Sequence, residues 1–147
     1  MDKMYKKYMI RLQVVRESRA NMGQTNSPKE VVECVKKELK SLDREYVVAV
    51  LLDNRNNVMG IEEVSKGTLT SAPLCSREVY TAAMFCNAQS IILLHNHPSG
   101  DPSPSLNDIG STKTLKKAGE IMGIDLLDHI IVGIDGTYVS MKEKGVL

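Results

Sequence analysis

A mixed α/β layered domain is the fold class this sequence predicts, and three features predict it. Apolar runs of strand length, YVVAVLL at 46–52 and SIILL at 90–94, have polar residues only at their ends. That is the pattern of strands covered on both faces. Segments with apolar residues at helical spacing alternate with these runs. Short loops join the two kinds of segment, as layered domains require.

Taken in order, YMIRLQVVRES (8–18) has the β-branched content of a first strand, and NMGQTNS (21–27) reads as a loop. SPKEVVECVKKELKSL (27–42) is predicted helical. Ser27 is placed as N-cap, Pro28 at the first helical position and Glu30 as the acid of a capping box. Val31, Cys34, Val35, Leu39 and Leu42 share one face of that helix. EYVVAVLLD is a buried strand, NRNN turns the chain, and VMGIEEVSKGTL is its antiparallel neighbour. SREVYTAAMFCNA (76–88) forms a second helix with Ser76 as candidate N-cap. QSIILL follows as another buried strand, ending at His95. LNDIGSTKTLKKAGEIMG (106–123) is a third helix, and LLDHIIVGIDGTYVSM (126–141) a hairpin whose Asp135-Gly136 suits a type I′ turn.

The chain of 147 residues has one domain's worth of core. We expect 1–25 to form a basic strand or arm belonging to the same domain as 26–147. Its apolar runs are too short to span a bilayer, and the N-terminus lacks a signal-peptide pattern. Three cysteines, Cys34, Cys75 and Cys86, are too few and too scattered for a disulfide framework. A reducing, cytoplasmic setting is the expectation, with Cys75 and Cys86 structural. The net charge of +1 is uneven. Residues 1–20 carry six Lys/Arg against two acids, a balance of +4 that leaves −3 for the rest. Any DNA association is therefore expected to be weak, salt-sensitive and carried by the arm.

HNHPSGDPSPSLND (95–108) is the stretch that carries chemistry. His95 and His97 are at i and i+2 on strand spacing, so their imidazoles share a face. Asp108, eleven residues beyond His97, falls one turn into the following helix. Two histidines and one carboxylate suit a zinc site with its fourth position open, the arrangement of a catalytic centre. The blander alternative is that Asp108 only completes a capping box with Ser105, over a loop stiffened by Pro98, Gly100, Pro102 and Pro104. Ser99 and Asp101 read as loop-shaping residues. The letters HNH do not make a nuclease, because in the nucleases of that name the residues are dispersed rather than adjacent.

The whole pattern is more specific than its parts. His95-Asn96-His97-Pro98, with Ser105 after seven intervening residues from His97 and Asp108 three further on, resembles the JAMM motif of JAB/MPN metalloproteases. PLCSREVYTAAMFCNAQSIILL before it and LLDHIIVG after it resemble the RadC-like branch, historically labelled DNA repair proteins. The likeness covers about 26–147 and is expected to be that of a short form without the N-terminal helix-hairpin-helix region. It implies a JAB/MPN-like, cytidine-deaminase-like domain with a central mixed sheet flanked by helices. It also implies one zinc per chain on His95, His97 and Asp108, with Ser105 steadying the transition state. Asn96 stands where deubiquitinating members have Ser or Thr, which turns expectation away from ubiquitin-like substrates.

The family's general base is a distant upstream glutamate at the start of a strand, and Glu45 occupies that position. Glu78 is its rival, though a helix start accounts for it; Glu62 and Glu63 fall on a half-exposed strand. His129 reads as a core or supporting histidine. The expectation is a zinc metallopeptidase acting on a protein or peptide, with no membrane partner. A phosphodiester is disfavoured, since no Lys or Arg lies within 78–112 to meet its charge. The competing expectation is a non-catalytic, DNA-repair-associated protein whose metal is structural or vestigial.

Overall fold

A computed structural model describes residues 23–35, 44–66, 74–133 and 136–147. The proposed strand at 8–18, the second half of the first helix and the residues before Gly136 in the last hairpin lie outside them. The elements are α1 (Pro28–Val35), β1 (Tyr46–Leu52), β2 (Val58–Lys66), α2 (Ser76–Phe85), β3 (Ser90–Asn96), α3 (Leu106–Met122), β4 (Asp125–Val132) and β5 (Tyr138–Ser140). The strands form one mixed sheet in the order β2-β1-β3-β4-β5, in which only β3 and β4 run parallel.

Side chains alternate across this sheet and so build two cores. Tyr46, Val48, Val50 and Leu52 of β1, with Ile92 and Leu94 of β3, pack against Val31, Val32 and Val35 of α1. Val47, Ala49 and Leu51, with Ile91 and Leu93, pack on the other face against Val79, Tyr80 and Ala83 of α2 and Leu115 of α3. Every residue of β1 and β3 is buried, as continuous apolar runs require. No helix among the described residues is long and apolar enough to cross a membrane.

Two helix starts differ from expectation in detail. Ser76 is the first residue of α2 rather than its cap. The cap is Cys75, with extended backbone and no side-chain bond; its carbonyl instead accepts from the N–H groups of Glu78 and Val79 at 3.0 and 3.2 Å. At α1 the Ser27 hydroxyl accepts from the Glu30 N–H at 3.3 Å as foreseen. The Glu30 carboxylate, however, reaches one residue further back, to the Asn26 N–H at 2.8 Å.

A bulge decides which face β4 shows. Ile91 pairs with Leu126 but Ile92 pairs with Asp128, so Leu127 is an extra residue. Beyond it Leu93 lies beside His129, which puts His129 on the α3 face. Without the extra residue Asp128 would stand there, since a one-residue slip exchanges the two faces.

Where α2 crosses α3, the Tyr80 hydroxyl donates to the Leu115 carbonyl at 2.9 Å, and burial pushes this phenol up to about 12. Gly119 leaves room for that contact. A Cβ there would lie 2.4 Å from the Ile124 carbonyl oxygen and 2.5 Å from the Tyr80 hydroxyl. Gly119→Ala would gain about 1 kcal/mol of helix propensity. The clash involves backbone that cannot swing aside, so a net loss of about 1–3 kcal/mol is expected. A urea midpoint equal to or above the parent's would contradict this.

Candidate metal centre

His95 is the penultimate residue of β3, and α3 begins eleven residues later after a loop of turn-formers. His95 therefore faces the α3 side of the sheet, in line with Leu93. His97, two residues on, brings its Nε2 to 2.9 Å from Nε2 of His95. The first turn of α3 brings the third group. Asp108 places one carboxylate oxygen 3.3 Å from His95 Nε2 and the other 3.4 Å from His97 Nε2. All three ligand atoms lie within 4.8 Å of one another. The His95 side chain is 2% exposed, against 19% for His97 and 14% for Asp108, so the cluster is anchored in the core and open on one side.

Asp108 serves the helix as well. Its Oδ2 accepts from the Ser105 N–H at 2.7 Å and from the Ser105 hydroxyl at 2.5 Å, while Ser105 Oγ accepts from the Asp108 N–H at 3.1 Å. The capping box and the candidate ligand cluster thus share Asp108, and forming the box leaves its carboxylate facing the histidines. Burial opposes ionisation of this carboxyl. Its bonds to His95 and Ser105, with the charge attraction of His95, outweigh that and hold it well below the usual carboxylate range.

The remaining imidazole nitrogens show where the protons are. His97 Nδ1 lies 2.8 Å from the Asp101 carbonyl oxygen, which can only accept, so His97 carries its proton on Nδ1. Its Nε2 then presents a lone pair. His95 Nδ1 lies 2.7 Å from Nε2 of the fully buried His129. Burial, and to a lesser degree the charge of His95, pushes His129 down to about 3, so it is a neutral imidazole. His129 Nδ1 in turn lies 2.6 Å from Thr112 Oγ1, whose hydroxyl donates to the Asp108 backbone carbonyl at 2.6 Å.

The donor set fits a small divalent cation. The Nε2 atoms of the two imidazoles stand 2.9 Å apart and a carboxylate faces the same point, so three donor groups converge where an ion would sit. Two histidines and a carboxylate are the donors that zinc takes in open, three-ligand sites. A cavity of about 350 Å³ lies on the α1 face, lined by Thr25, Val31, Ile92 and Asp128 among others, and none of the three ligands borders it.

Glu45 immediately precedes β1 and is partly buried. Val47 pairs with His95 in the antiparallel ladder, so the same register carried two residues further sets Glu45 abreast of His97. Among the described residues no hydrogen bond joins its carboxylate to the cluster. Glu78 is exposed on the first turn of α2, and Glu62 and Glu63 are exposed on the edge strand β2.

Sequence reasoning reads Asn96 only for what it says of substrate and misses its structural role. It is fully buried, its Oδ1 accepts from the Tyr46 N–H at 2.8 Å, and its Nδ2 donates to the Arg44 carbonyl at 2.7 Å. The side-chain amide thus bonds the backbone on both sides of Glu45, as a neighbouring strand would. A polar residue inside an otherwise apolar strand end was the available signal. From sequence His129 reads as a core or supporting histidine, and Thr112 is not singled out.

A family model described as RadC-like JAB domain matches residues 25–146. A UPF0758 protein of Desulfitobacterium hafniense (strain DSM 10664 / DCB-2) is 47% identical over 122 residues, 83% of this chain and 53% of its own length. UPF0758 proteins of Desulforamulus reducens and Pelobacter propionicus are 49% and 46% identical, over 82% and 86% of this chain and 52% and 55% of theirs. The chain spans about half the length of these relatives.

Proposed function

Since the chain belongs to the RadC-like JAB domain family, we propose that it is a zinc-dependent metallohydrolase cleaving a peptide or isopeptide bond. The observation that carries this reading is the convergence of His95, His97 and Asp108, with both imidazole Nε2 atoms turned to one point. Those three residues would hold the ion, which when bound supplies Lewis acidity toward a carbonyl oxygen and toward water.

The chain's own residues do the rest. Glu45 accepts a proton from the attacking water and returns it to the leaving amine; its position just before β1, two residues from the partner of His95, supports this role. Ser105 offers its hydroxyl to the developing oxyanion. In the resting arrangement that proton is directed at Asp108 Oδ2, so the hydroxyl must rotate toward substrate before it can act. His95, at the core end of the cluster, keeps the site fixed relative to the sheet.

Purified protein reconstituted with zinc is the test, incubated with peptide libraries and with single- and double-stranded DNA, with and without chelator. The expected result is about one zinc per chain and chelator-sensitive peptide cleavage. Glu45→Gln should keep the metal and lose turnover by at least about a hundredfold, the scale of general-base catalysis. Full turnover in Glu45→Gln alongside an inactive Glu78→Gln would move the base to Glu78. Zinc-dependent DNA cleavage that vanishes in His95→Ala, without peptide turnover, would overturn the proposal.

A further inference from the structure

We propose that His129 and Thr112 are positioning residues that fix the tautomer of His95, so that its Nε2 lone pair faces the ion. The inference rests on reading the cluster as an ion site and adds to it a relay through three elements. It starts at the Asp108 backbone carbonyl, which accepts from the Thr112 hydroxyl one helical turn on. With that proton committed, Thr112 Oγ1 can only accept from His129, so His129 is protonated on Nδ1. Its Nε2 then carries a lone pair and accepts from His95 Nδ1. His95 is left with its lone pair on Nε2, the nitrogen turned toward His97 and Asp108.

Were the Thr112 hydroxyl turned toward His129 instead, every bond in the chain would reverse. His95 would then hold its proton on Nε2 and could not ligate from that atom. The tautomer is thus set by a threonine on α3 and a histidine on β4, neither of which touches the ion. The fully buried Thr112 and His129 exclude water that could satisfy either polarity. His97 has its own, separate device in the Asp101 carbonyl.

Long-range ¹H–¹⁵N correlation spectra of the imidazoles in the metal-free protein read the tautomers directly. Zinc affinity is measured in parallel by competition with a chromophoric chelator. The parent should show His95, His97 and His129 all protonated on Nδ1. His129→Leu removes the acceptor, so His95 should redistribute toward the Nε2-protonated form and zinc affinity should fall about 10–100-fold, the usual cost of losing an outer partner. His129→Gln, whose amide oxygen can accept in place of Nε2, should recover most of that loss. Thr112→Val should shift the His129 tautomer, and Thr112→Ser should restore it. A parent His95 protonated on Nε2 would overturn the proposal, as would a His129→Leu protein that binds zinc as the parent does. If the parent binds no zinc at all, the ion reading fails, while the tautomer spectra still decide whether the relay exists.

Discussion

Exchanging Asp108 for asparagine is expected to weaken zinc binding by more than about a hundredfold, beyond what losing an outer partner costs, while barely altering stability. The carboxylate has two tasks with separable demands. Toward Ser105 it only accepts, from the N–H at 2.7 Å and the hydroxyl at 2.5 Å, and an amide oxygen can do the same. Toward the histidines it contributes charge and lone pairs, which an amide nitrogen cannot. In Asp108→Asn, with the amide oxygen kept on Ser105, the nitrogen takes the Oδ1 position 3.3 Å from His95 Nε2 and donates to it, easing the metal-free protein while blocking the ion. Against this stands the loss of a negative charge in the first turn of α3, about 0.3–1 kcal/mol. The net change in stability should stay within about 1 kcal/mol. Asp108→Ala, by contrast, should lose the cap as well, at about 0.5–2 kcal/mol. Chelator competition and urea unfolding separate the two effects. Parent-like zinc affinity in Asp108→Asn would remove the carboxylate from the ligand set.

Acid should destabilise the metal-free protein in two stages, the first governed by His129. Its folded value is depressed to about 3, whereas an unfolded histidine titrates near 6.5. Between those values the unfolded chain binds a proton that the folded chain refuses. The stabilisation is therefore complete above about pH 6.5 and is lost progressively as pH falls toward 3, at up to about 1.4 kcal/mol per unit. By pH 4.5 the loss should reach about 2–3 kcal/mol. Asp108, whose carboxyl is also depressed, adds a second loss below about pH 4, where the unfolded chain takes up that proton first. Urea midpoints measured in chelator at pH 7.5, 5.5 and 4.5 read the first stage. His129→Gln should flatten it; equal parent midpoints at all three pH values would mean that His129 is not a buried neutral base.

The strands were legible because a sheet covered on both faces leaves no room for polar residues. YVVAVLL and SIILL announce β1 and β3 directly, and the spacing of His95, His97 and Asp108 carries through to a cluster whose ligand atoms converge. What stayed hidden depends on contacts between distant segments. The bulge at Leu127 leaves no mark in LLDHIIVG, yet it decides which face His129 occupies. Asn96 is read only for its bearing on substrate, because nothing local reveals that the start of β1 runs alongside it. Ser76 is the candidate cap because side-chain preference is visible in sequence, whereas the backbone carbonyl of Cys75 meeting two N–H groups is not.

If the cluster holds an ion, the proposed relay joining Asp108, Thr112, His129 and His95 ties the sheet to ion binding in both directions. The three ligands fall within residues 95–108, a segment that brings its ends together at small entropic cost. His129 arrives only when β4 has docked beside β3. If docking raises zinc affinity 10–100-fold by fixing His95, then by linkage bound zinc must favour docking by the same factor. That corresponds to about 1.4–2.7 kcal/mol. An ion held by one short stretch of chain would then slow amide exchange along β4, a strand that supplies it with no ligand.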